Sequence, residues 1–138
     1  MTRGLTRFIA MCVIAMMTIL SSGCAGISSR AKALDSVTRA YEKHIRWGKF
    51  EEARAFVKGP QEFLTDNERK RLQNIRITGY DMLNSHVADD QATAVLMVRI
   101  RYFHDEYAIE ETFIDQQKWK FDAASDHWFL ASPIPSFR

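Results

Sequence analysis

Ala92–Phe103 reads ATAVLMVRIRYF, and its even positions Ala92, Ala94, Leu96, Val98, Ile100 and Tyr102 are all apolar, while the odd ones include Thr93, Arg99 and Arg101. Side chains alternate across a strand, so this pattern predicts a β-strand with one fully buried face. Working outward, Tyr107–Phe121 alternates as well, with Tyr107, Ile109, Phe113, Trp119 and Phe121 set against Glu110, Thr112, Gln116, Lys118 and Lys120. Asp89-Asp90 and residues 122–126 read as turns, and Ile75–Val87 and His127–Ile134 complete a predicted four-stranded antiparallel meander. Across Gly79 the apolar phase moves from Ile75 and Ile77 to Tyr80 and Met82, which predicts a β-bulge.

Upstream the period is helical. Leu34, Val37, Tyr41, Ile45 and Gly48 mark one face between Arg30 and Gly48, with charged side chains on the other and Gly48 as the stop. A second short helix is predicted over Phe50–Val57, closed by Gly59-Pro60. Thr65 followed by Glu68 three residues later is a capping-box signature for a third. Helices first and long strands after them give an α+β fold, N-terminal helices packed on a curved four-stranded antiparallel sheet. Tyr41 with Trp47-Gly48-Lys49-Phe50-Glu51-Glu52-Ala53, the Ile75-Arg76-Ile77 strand start and the Trp119…Asp122…Trp128 hairpin carry a resemblance to the nuclear transport factor two-like superfamily of cone-shaped domains. That resemblance covers about Leu34–Phe137 and is architectural, so it implies a fold more than an activity. The same Trp47–Ala53 stretch resembles a tetratricopeptide turn, but no second copy precedes the strands, and a stack needs several.

The 138-residue chain opens on a short basic stretch, Met1–Arg7, and an unbroken apolar run of 13 residues, Phe8–Leu20. A membrane span needs about 18 or more, so the run reads as the apolar region of a secretion signal. Ser22-Gly23-Cys24 resembles a bacterial lipobox, although Ser21 stands where Leu is usual and Leu20 falls one place early. The expected organisation is a signal peptide over 1–23, a lipidated Cys24 with a short tether over 24–29, and one domain over 30–138. Ala25 after the cysteine resembles the sorting signal for an outer-membrane lipoprotein facing the periplasm. Inner-membrane retention is one alternative; cleavage near Ala25 to a free periplasmic protein is another. Cys12 lies in the leader, which leaves Cys24 as the single mature cysteine and excludes a disulfide or thiolate centre in the domain. The formal charge of +2 comes from Arg3 and Arg7, and the remaining basic and acidic side chains are equal in number. No nucleic-acid partner is expected from that balance. The charge is nevertheless lopsided: residues 25–79 carry 12 basic and 7 acidic side chains, residues 80–138 carry 5 and 10.

Candidate chemistry is sparse. Matching the buried faces of the central hairpin places Val98 opposite Phe113, Leu96 opposite Asp115 and Ile100 opposite Glu111. Two carboxylates would then share a face with apolar neighbours, either as bases inside the cone or as side chains emerging at its rim. Four residues apart on one strand, they stand about 13 Å from each other, too far for a paired-carboxylate mechanism. His86, late in the first strand, is the one histidine placed to reach a cone; His44, His104 and His127 read as edge or turn residues. Tyr102, Phe113, Trp119 and Trp128 are expected to line or close the cone, or simply to pack its core. No metal-ligand spacing, phosphate loop or nucleophile elbow is present, and no cofactor is expected. Two function classes follow: a non-catalytic, membrane-anchored module binding an envelope protein or a small apolar ligand, and an isomerase- or cyclase-type enzyme, as the superfamily resemblance implies, using Asp115, Glu111 or His86.

Overall fold

The computed structural model describes residues 23–59 and 64–137, with side chains from Ser29 onward. The predicted signal peptide, apart from Gly23, lies outside the described residues. The chain divides at Lys32, and the fold from Ala33 onward is a unit of its own. The elements of the described residues are α1 (Gly23–Arg46), α2 (Phe50–Arg54), α3 (Asp66–Gln73), β1 (Ile75–Val87), β2 (Thr93–His104), β3 (Glu110–Asp122) and β4 (His127–Leu130). The predicted α+β class and strand order hold: the sheet is an antiparallel meander, β1-β2-β3-β4.

Helix α1 buries Leu34, Tyr41 and Ile45 at the predicted spacing. Its solvent side carries Asp35–Arg39 and Glu42–Arg46 ion pairs, each at 2.9 Å and one helical turn apart. Gly48, at a φ of +65°, ends the helix. Lys49 N–H reaches the His44 carbonyl and Gly48 N–H that of Ile45, the paired bonds of a Schellman cap, which needs a left-handed residue between them. The second helix stops at Arg54, short of the predicted Val57. Residues 56–58 instead run beside β4: Leu130 N–H donates to the Phe56 carbonyl at 2.7 Å, and Val57 bridges Leu130 in parallel. For α3 the capping box is formed, Thr65 Oγ1 accepting from Glu68 N–H while the Glu68 carboxylate accepts from Thr65 N–H. The Thr65 N–H and the Thr65 hydroxyl, both donating to the Glu68 carboxylate, hold that carboxyl below its ordinary value.

In the sheet, Ala94, Leu96, Val98, Ile100 and Tyr102 are buried, as the alternation of β2 predicts. The bulge at Gly79 is present as a register shift between Ile77 and Gly79, and a second shift falls between Met82 and Asn84. Glycine at position 79 leaves room for Arg101: a Cβ there would stand 2.4 Å from Nε of Arg101, so the guanidinium would have to shift.

The central hairpin corrects the expected register. Val98 opposes Asp115, Ile100 opposes Phe113, Leu96 opposes Gln117 and Tyr102 opposes Glu111. The slip is two residues, so every side chain keeps its face while changing its partner. Its cause is the turn: β3 begins at Glu110 rather than Tyr107, because the N–H groups of Tyr107 and Ala108 both bond the His104 carbonyl, with Ala108 at a φ of +49°. Strand β4 likewise ends at Leu130 rather than Ile134.

One core joins the layers. Tyr41 of α1 meets Trp119 of β3 edge to face at 5.5 Å and Phe56 at 5.7 Å. Beyond β4 the described residues carry no regular structure, yet Phe137 is buried, packed on Phe50 at 5.0 Å, Tyr102 at 5.1 Å and Phe113 at 5.7 Å.

Candidate functional site

The inner face of β3 carries Phe113, Asp115, Gln117 and Trp119 in succession, and two of these four are polar. Gln117 is 1% exposed. Its amide satisfies itself completely: Nε2 donates to Asp115 Oδ2 and to the Tyr80 hydroxyl, both at 2.8 Å, and Oε1 accepts from Trp119 Nε1 at 3.3 Å. A buried amide without partners would be costly, so this network is what allows glutamine at a core position. Tyr80 reaches the network because the Gly79 bulge brings it opposite Ile100, on the inner face.

Asp115 is half-buried and its carboxyl is pushed above the ordinary value by burial, with the Gln117 hydrogen bond acting against that. Tyr80 and Tyr41 are both raised, chiefly by burial and further by the nearby Asp115 charge. The Tyr41 hydroxyl is buried and has no hydrogen-bond partner among the described residues. Two phenols and an amide thus gather about one carboxyl with an elevated proton affinity. Chemically, the half-buried Asp115 carboxyl can exchange a proton with a molecule that reaches it, while the phenols are closed off by the core.

Of the acid-base candidates only Asp115 joins this cluster; of the expected lining residues only Trp119 does, through its bond to Gln117. Glu111 is exposed and accepts from the Tyr102 hydroxyl at 2.8 Å. His86 is exposed and opposes Val95, on the face away from the buried row. Tyr102, Trp119 and Trp128 are 3%, 0% and 6% exposed, and Phe113 is half-buried against Phe137. A side chain bordering a water-sized void would keep accessible surface, so Trp119 lines none. Cys24 lies in the first turn of α1; its side chain is outside the described ones. Among the described residues no three His, Cys, Asp or Glu side chains gather as a metal site, and no helix is long and apolar enough to cross a membrane. Tyr41, Tyr80 and Gln117 are the members that sequence reasoning missed, although Gln117 stands at the inner parity of β3. Compared with known proteins, the chain matches no described family, no curated protein and no solved structure.

Proposed function

We propose that the chain is a lipoprotein held at the outer membrane through Cys24, facing the periplasm, and that its domain is a nuclear transport factor two-like module that binds rather than catalyses. The observation that carries the binding reading is the filled centre of the fold: Tyr41 and Trp119 are 0% exposed and Phe137 is 1% exposed, where a ligand of a hollow cone would sit. Packing of that kind favours recognition on the outer surface, hence an envelope protein over a small apolar ligand. The anchor rests on the apolar run followed by Ser22-Gly23-Cys24. Cys24→Ala is expected to abolish acylation and release the domain from membranes or leave the uncleaved precursor, read by acyl labelling and fractionation. Wild-type chain found unacylated and soluble overturns it. Crosslinking in intact envelopes tests the partner.

A second reading, an isomerase- or cyclase-type enzyme, draws on one observation, the carboxyl of Asp115 beside Gln117 and Tyr80. A positioned base contributes about 10²–10⁴-fold to rate. Asp115→Asn keeps shape and removes the proton acceptor. At matched protein level the binding reading expects this variant to complement a deletion strain, and the enzyme reading expects failure with fold and membrane attachment intact.

A further inference from the structure

The three most exposed large apolar side chains of the described fold are Trp47, Ile109 and Tyr107, at 74%, 67% and 68%. They occupy two neighbouring corners. Trp47 follows the C-terminus of α1 and forms one wall of a cleft of about 450 Å³ whose other wall includes Ile75, Arg76 and Ile77 of β1. Tyr107 and Ile109 lie on the β2–β3 turn. That turn is pinned to the same start of β1: Arg76 bridges Asp105 at 2.7 Å, and Asp105 N–H donates to the Asn74 carbonyl.

The two corners differ in sign. Around Trp47 stand Lys43 and Lys49, which share with it a second cleft and have no carboxylate partner among the described residues. Around Tyr107 and Ile109 stand Glu106 and Glu110, whose carboxylates accept, among the described residues, only from neutral donors, the Asn74 amide at 3.3 Å and the Thr78 hydroxyl at 2.6 Å. Arg76 and Asp105 neutralise each other between them. The surface therefore carries an aromatic with two uncompensated cations on one side and an aromatic with two uncompensated anions on the other.

A patch built this way is complementary to itself when turned over. Two-fold interfaces are isologous: what one copy presents on the left of the axis meets what the other presents on the right. We infer that these corners form a two-fold interface with a second copy of this chain, Trp47 with Lys43 and Lys49 of one copy seated on Tyr107, Ile109, Glu106 and Glu110 of the other. An anionic bilayer fits the Trp47 corner alone, and it is opposed by the carboxylates beside it. Trp and Tyr at the centre of such a contact are the side chains whose truncation costs most, and the charge pairs fix partner and register.

The test uses the full chain in detergent solution, with sedimentation velocity reading association and thermal melting confirming fold. Wild type is expected to dimerise. Trp47→Ala is expected to weaken association at least about tenfold. The double variant Lys43→Glu with Lys49→Glu, and the double variant Glu106→Lys with Glu110→Lys, are each expected to be monomeric, and an equimolar mixture of the two to regain a dimer. A photo-crosslinker at position 47, in intact envelopes of cells with mixed isotope labels, is expected to link to residues 105–110 of a different copy. The inference is overturned by wild type that remains monomeric, by folded charge variants that fail to restore association when mixed, or by crosslinks from position 47 to lipid or to another protein. Should a charge variant fail to fold, the crosslink and Trp47→Ala decide.

Discussion

Met82, Val98 and Asp115 lie side by side in one row across β1, β2 and β3, and they live in different surroundings. Val98 is 0% exposed; Met82, its neighbour on the edge strand, is 47% exposed; Asp115, on the other side, is half-buried. Two things separate β1 from β2. The central strand is paired on both sides and keeps its period of two from Ala94 to Tyr102 without a break. The edge strand is interrupted at Gly79 and again before Asn84, and Met82 through His86 form a continuous exposed stretch. Bulges twist an edge away from regular pairing, one of the devices by which proteins keep a bare strand from recruiting another. The opposite edge uses a different device: β4 is only four residues long and is covered by Phe56–Lys58. Being in the same sheet row is therefore a poor guide to burial, and position relative to the edges is a better one.

The largest expected effect tests that contrast within the row. Val98→Asp places an unpaired charge among buried apolar groups, a cost of several kcal/mol against a total stability of about 5–15 kcal/mol, and is expected to unfold the domain. Met82→Asp, one strand away, is expected to cost less than about 1 kcal/mol. Chemical denaturation of both variants measures the gap, and equal losses would break the contrast.

A smaller effect sharpens the account of the first bulge. Gly79→Ala pushes a methyl group into the Arg101 guanidinium, the far end of a flexible side chain, and is expected to cost about 1 kcal/mol. In an Arg101→Ala background the same change is expected to cost close to nothing. A double-mutant cycle reads the coupling, and its absence would mean that the glycine serves something other than room for Arg101.

The smallest effect concerns the third member of the row. Because the folded state raises the Asp115 carboxyl, the folded state holds that proton more tightly than the unfolded chain does. Its contribution to stability is present below the ordinary aspartate range and is lost as pH rises through the elevated value. Asp115→Asn is expected to remove that component and leave the variant at least as stable as wild type at neutral pH. Melting from pH 3 to pH 7 compares the slopes; identical slopes would mean that burial does not act on this carboxyl.

These elements also explain which parts of the fold were legible beforehand. Strand β2 could be read because one whole face is buried and nothing interrupts it. The capping box of α3 could be read because Thr65 and Glu68 act locally. Hairpin register could not, since Tyr107 and Ile109 continue the alternation of β3 in sequence while the chain is already turning, and Ala108 is no obvious left-handed residue. Parity survived a slip of two, so the shared face of Asp115 and Trp119 was foreseen even as their partners were not. The cluster around Asp115 was half visible: Gln117 stood at an inner position, but Tyr80 reaches it only through the shape of a bulge, and Tyr41 reads from sequence as plain helix core.

Phe137 has one more consequence. The segment 131–137 has no helix or strand of its own, and the side chain that fastens it fills the space between Phe50, Tyr102 and Phe113. A protease cutting between Leu130 and Phe137 would not simply trim a dangling tail, because the released piece takes a core aromatic with it and uncovers three others. Digestion is then coupled to collapse of the whole fold, and trimmed, still-folded intermediates do not accumulate.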